Sequence, residues 1–175
     1  MDRARKLDPL SLIMAADNGV FLYFSRQNER AIQQFRAVLD MEPGVFRAHM
    51  VMAAYVEEGK FAKAIAEAEK LWNMLDGEWS RALLAYAYGR AGQLEDARRE
   101  PDAGKKISTR QPFDSLPIAL AYIGLNDKDQ AFMWLDKSIA AHSHSLAAIK
   151  VDPIYDPLRS DPRFEAILRR VGLGQ

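Results

Sequence analysis

A chain of 175 residues with 49% apolar and 27% charged side chains has the composition of a folded domain, and its 24 basic and 24 acidic residues cancel, so no overall field draws it toward nucleic acid or an anionic membrane. The absence of cysteine excludes disulfides, thiolate zinc sites and cysteine nucleophiles. No apolar run reaches the roughly 18 residues that a bilayer span needs, and the basic opening at Arg3, Arg5 and Lys6 is followed by no signal-like stretch; the chain reads as cytoplasmic, or periplasmic if an upstream segment directs it there.

In chain order, Arg5-Lys6-Leu7-Asp8 reads as the tail of a helix, and Pro9 stands 34 residues before Pro43, so a repeating array is expected to have begun upstream of Met1. That would leave apolar surface around Leu10, Leu12, Ile13 and Met14, open to self-association through the N-terminal end of the array. Helical periodicity then pairs 10–25 with 29–41, 45–57 with 61–74, 79–91 with 94–100, and 114–124 with 128–140. Glu42-Pro43-Gly44 ends one helix, and Asn126-Asp127 supplies a turn followed by a cap. No stretch alternates with period two, so no sheet is expected.

Self-similarity organises these pairs. Ala31, Ala64, Ala97 and Ala131, each early in a second helix, are spaced 33, 33 and 34 apart. Nine residues before each stands a large residue: Leu22, Tyr55, Tyr88 and Tyr122. Small residues at Gly19, Ala85 and Ala119 and turn glycines at Gly59 and Gly92 keep the same register. Small residues where two helices meet let their axes approach to about 8–10 Å.

Two segments depart from the period. Pro101 falls four residues after Ala97, where it removes a helix donor, so the helix is expected to stop near Glu100 and 101–112 to be an irregular connector. That connector is read either as a degraded repeat or as a ligand-gated loop. From 142 to 175 the chain is turn-rich, with Asp152-Pro153, Asp156-Pro157 and Asp161-Pro162 in series. Asp161 is expected to cap a last helix starting at Pro162, whose Phe164, Ile167, Leu168 and Val171 form one apolar face. The domain reading is therefore a repeat array over 1–141 and a cap over 142–175.

These markers resemble the tetratricopeptide repeat (TPR) family, whose 34-residue unit is a helical hairpin. The stretch 119–173, with its run from Ala121-Tyr122-Ile123-Gly124-Leu125-Asn126-Asp127 to Ala131-Phe132, the Asp-Pro series and the ending Leu168-Arg169-Arg170-Val171-Gly172-Leu173, is similar to the C-terminal end of such regions in multidomain bacterial signalling and transcription regulators. The resemblance implies an all-α, right-handed superhelix of about four hairpins with a C-terminal capping helix. It also implies an interaction module serving a catalytic or DNA-binding domain elsewhere in a polypeptide. Pro101, Arg26 and Asn28 at the first hairpin turn, and Lys128 depart from the family pattern.

The family's concave face, carried over position by position, falls on Tyr23, Phe24, Phe46, His49, Val56, Trp79, Tyr86, Arg90, Phe113, Leu116 and Leu120. It is apolar and aromatic, which suits a peptide or protein segment with apolar anchors. Ala16 and Val20 occupy the places where relatives that grip a terminal carboxylate carry lysine and asparagine, so no carboxylate clamp is expected. A metabolite in the same concavity is the alternative occupant, which would make the chain a small-ligand sensor. The same side chains also have a second reading, as filling between hairpins; Trp72 and Trp134, on second helices, are read as packing.

Catalytic and cofactor chemistry lack their residues. His49, His142 and His144 are the three imidazoles, too few and wrongly spaced for a zinc site without thiolates. No serine lies in a Gly-x-Ser-x-Gly turn and no glycine-rich phosphate loop occurs. Glu57-Glu58 and Glu95-Asp96 fall at helix ends, where acids cap and solvate. The expectation is a non-enzymatic chain without metal or cofactor.

Overall fold

The computed structural model describes residues 9–75, 77–99 and 115–174, and every regular element among them is helical, with no strand. The expected connector over 101–112 and the helix stop beside Pro101 lie outside the described residues. Contacts divide the chain into two compact units, Met1–Leu75 and Asp76–Gln175.

The first unit contains α1 (Pro9–Phe24), α2 (Asn28–Met41), a 3-10 turn (Phe46–Met50) that runs straight into α3 (Val51–Glu57), and α4 (Phe61–Met74). α1 packs on α2, α2 on α3, and α3 on α4. The sequence dictates these faces: α2 buries Ala31, Phe35, Val38 and Leu39, and α4 buries Ala64, Ala68 and Leu71, each set one stripe of a 3.6-residue period. Gly19 lets α1 close on α2, because a Cβ there would stand 2.6 Å from the Phe35 ring.

The expected helix over 45–57 opens instead as a tight 3-10 turn. Tertiary ties hold it: His49 Nε2 lies 3.0 Å from the Pro43 carbonyl, and Arg47 Nε pairs with Asp17 of α1 at 3.0 Å. Leu12, expected with Ile13 and Met14 on an exposed surface, is buried, while the other two are exposed.

The second unit contains α5 (Glu78–Arg90), α6 over 94–99, α7 (Leu116–Gly124), α8 (Lys128–Ala140), 3-10 turns at His144–Ala148 and Pro153–Leu158, and α9 (Pro162–Arg170). All nine residues of α7 are buried, as a helix apolar on every side requires. It is the centre of this unit, packed by α5, by α8 and by the Pro153–Leu158 turn. α9 lays Phe164, Ile167 and Leu168 inward, and Asp161 caps it by accepting from the Arg163 N–H at 3.0 Å. Its outer edge is tied to α8, where Arg163 pairs with Asp129 at 2.7 Å and crosses the Phe132 ring, and Arg170 pairs with Asp136.

One turn geometry recurs through both units. Arg26, Gly59, Gly92 and Asn126 all adopt left-handed backbone, at φ 62°, 67°, 79° and 57°. The residue after each (Gln27, Lys60, Gln93, Asp127) donates its N–H to the carbonyl of Leu22, Tyr55, Tyr88 or Tyr122, at 2.9, 2.8, 2.9 and 3.0 Å. This is the Schellman ending, in which a left-handed residue closes a helix and satisfies its last carbonyls. Five residues after each left-handed position stand Ala31, Ala64, Ala97 and Ala131, all fully buried. The two sequence markers thus belong to one structural event, a helix closed by its large residue's carbonyl and a next helix entering on a buried alanine.

Candidate functional site

The residues placed on the concave face divide by burial. Tyr23, His49, Val56, Tyr86, Leu116 and Leu120 are buried within their own units. Helix packing accounts for this: the Tyr23 ring lies in the interior beside Phe24, with centroids 5.8 Å apart, and the Tyr86 backbone is pressed against Gly124 at the crossing of α5 and α7. For these six, the reading as filling between helices describes where they sit. Phe24 and Trp79 are half-buried and Phe46 is 44% exposed. Arg90, also half-buried, donates through Nη1 to the Tyr86 hydroxyl at 3.0 Å and stacks against that ring. Phe113 lies outside the described residues. Of the expected set, the described side chains that keep solvent access are Phe24 and Phe46 in the first unit and Trp79 and Arg90 in the second.

A convergence of charge that the sequence reading passed over surrounds Glu67. It stands in the buried stripe of α4, between Ala64 and Ala68, and is itself almost wholly inaccessible. Its Oε1 is 3.0 Å from His49 Nδ1, and its Oε2 faces Lys70 at 3.5 Å and Arg36 at 3.8 Å. The hydrogen bond from His49, helped by the Lys70 charge, holds the Glu67 carboxyl below the ordinary value of 4.5, against the opposing effect of burial. The signal was present: an acid at a helix position whose i+1, i+4 and i−3 neighbours are all apolar must find a buried partner.

Above this pair opens a cleft of about 420 Å³, lined by Arg36, Leu39, Asp40 and Asn73 among others. Its chemistry is that of a clamp. The carboxylate is held toward its charged form, and His49 is engaged on both sides, by the Pro43 carbonyl near Nε2 and by Glu67 near Nδ1. The pair fastens the Phe46–Met50 turn to α4, so it fixes where Phe46 is presented. Among the described residues no three acids or histidines gather as the ligands of a metal would, and no helix is long and apolar enough to cross a membrane.

Comparison with known proteins finds no matching family model, no matching curated protein and no matching solved structure.

Proposed function

We propose that this chain is a protein-interaction module of the tetratricopeptide type, a regulatory or assembly arm of a larger bacterial signalling protein, working in the cytoplasm. The observation that carries the reading is the fourfold recurrence of the left-handed turn at Arg26, Gly59, Gly92 and Asn126, each followed at the same interval by a fully buried alanine. Repetition at that interval is what an array of stacked hairpins needs, and such arrays serve recognition by offering extended surface rather than a reaction centre. The partner is a peptide or protein segment bearing apolar side chains.

Phe24 and Phe46 in the first unit and Trp79 and Arg90 in the second are the side chains proposed to meet it, since they combine aromatic or planar surface with access to solvent. Selection of peptides from a displayed random library on the immobilised chain tests this. Enriched sequences should carry spaced aromatic or aliphatic anchors, and Phe24→Ala or Trp79→Ala should weaken their binding tenfold or more, on the order of 1.4 kcal/mol or above. Failure to enrich any peptide, together with a thermal shift produced by a metabolite, would replace this reading with ligand sensing.

A further inference from the structure

We propose that His49 is a proton-operated latch on the Phe46–Met50 turn: the doubly protonated imidazolium ties the turn both to α4 and to the loop after α2, and loss of one ring proton releases one of the two ties.

His49 is 3% exposed, and each of its ring nitrogens lies against an oxygen: Nδ1 is 3.0 Å from Glu67 Oε1, and Nε2 is 3.0 Å from the Pro43 carbonyl. A carbonyl and an ionised carboxylate can only accept. A neutral imidazole carries a proton on one nitrogen and a lone pair on the other, so either tautomer sets a lone pair against an oxygen at 3.0 Å. The imidazolium, a donor at both nitrogens, is the one form that suits both neighbours, and a buried polar contact left unmade is costly.

The surrounding charges favour the extra proton on balance. α4 supplies Glu67, whose other oxygen faces Lys70 at 3.5 Å, and α2 supplies Arg36, 3.8 Å from that same oxygen and 3.7 Å from Asp40. α1 supplies Asp17, paired with Arg47 two residues before His49, and α3 carries Tyr55 and Glu57 six and eight residues beyond it. Arg36 and Lys70 disfavour a third cation, but their side chains are 43% and 61% exposed, so water and salt screen them. Glu67 is buried and in direct contact with the ring, so its attraction is the least screened and prevails. Proton exchange has a route, because His49 and Glu67 both line the cleft of about 420 Å³ that residues of α2 and α4 form.

The sign follows from which form of the ring makes both contacts. With Glu67 ionised, the latch is closed while His49 is charged and opens as pH rises through the range where imidazoles titrate, about pH 5 to 8. This limb is opposite to the acid loss at Glu67, so the turn is held most firmly between the two. Phe46, which begins the turn, is held less firmly at the alkaline end. Any weakening of peptide capture there rests on the recognition reading, whereas the ring and the turn can be observed without a partner.

Long-range proton–nitrogen NMR spectra of the full chain across that pH range report the protons on each ring nitrogen, with His49 assigned by the signals lost in His49→Gln. At the acid end both His49 nitrogens should show protonated shifts, and at the alkaline end one should show the lone-pair shift. Over the same range the protection factor of the Ala48 amide, bonded to the Val45 carbonyl at 2.9 Å, should fall about tenfold or more, while amides inside α2 keep theirs. Glu67→Gln should make the protection of the turn independent of pH here, because an amide can donate or accept and so suits either form of the ring. A His49 ring that stays neutral throughout, one that stays doubly protonated throughout, or a turn whose protection ignores the titration of His49 would overturn the proposal. If Glu67→Gln does not fold, the ring and amide profiles of the unaltered chain still decide it.

Discussion

Gly89 of α5 and Gly124 of α7 touch backbone to backbone: a Cβ built on Gly89 would stand 2.4 Å from the Gly124 carbonyl carbon, and one built on Gly124 would stand 2.5 Å from the Tyr86 Cα. Neither neighbour is a side chain that can swing away. Gly89→Ala should therefore destabilise the chain by about 2–3 kcal/mol, outweighing the gain of up to about 1 kcal/mol that alanine brings to a helix interior. Urea unfolding measures it, and a stabilised variant would mean that the two helices do not cross there.

The turn residues separate conformational strain from packing. A Cβ on Gly59 would meet nothing within 4 Å, so the whole effect of Gly59→Ala comes from its φ of 67°. A loss of about 1–2 kcal/mol is expected. Arg26 holds the same left-handed conformation in the first hairpin while bearing a side chain. Arg26→Gly should accordingly raise stability, by up to about 1 kcal/mol, as read by the shift in thermal midpoint.

The Glu67 clamp gives the acid limb of the stability curve a definite sign. Its carboxyl is held below 4.5 in the folded chain, so the clamp contributes fully above the unfolded value of 4.5, and its contribution fades as pH falls through the lower folded value. Glu67→Gln should flatten this portion of the curve and cost roughly 2 kcal/mol or more at neutral pH, because His49 then loses its carboxylate partner. Denaturant titrations at several pH values between neutrality and the acid limb compare the two chains.

α9 is fastened by burial first and charge second. Phe164→Ala should cost about 3–5 kcal/mol and release α9, seen as faster amide exchange over 162–170. Asp161 adds a separate acid-sensitive contact: hydrogen bonds from Arg163 lower its carboxyl to about 2, so its contribution is complete above 3.8 and disappears between 3.8 and about 2. Asp161→Asn should remove that low-pH slope while leaving the Phe164 contact in place.

Helix positions were legible because local signals agreed with one another. The stripe at Ala31, Phe35, Val38 and Leu39 follows one helical period, and Asp127 caps α8 by accepting from the Gln130 N–H at 3.1 Å, as Asn126-Asp127 suggested. Less legible were features made by partners distant in sequence. The 3-10 opening at Phe46–Met50 depends on Asp17, 30 residues before Arg47, and on the His49–Glu67 pair, so helical periodicity alone runs through it. Arg26 reads as a departure from the turn pattern, yet it adopts the same backbone as the glycines, because the Schellman bonds fix the conformation whichever residue fills it.

At the candidate site, position within a repeat could say which residues lie on first helices but not how closely neighbouring helices approach. The Gly89–Gly124 contact brings α5 and α7 together at Tyr86 and encloses its ring, while Trp79, seven residues earlier, keeps part of its surface. Of the stripe around Glu67 only Ala64 carries a repeat marker, so the repeat pattern passes over the acid three residues later, which was the informative residue.

The most direct measurement is a nitrogen-15 NMR titration of the full chain with a peptide selected on it, read at the indole N–H signals of its 3 tryptophans. The proposed function predicts that the Trp79 indole, or the backbone amides around Phe24 and Phe46, move in proportion to occupancy, while the indole of the buried Trp134 stays in place. A peptide that binds tightly yet shifts Trp134 or the outer surfaces of α2 and α4, leaving Trp79 and Phe24 unmoved, would contradict the account.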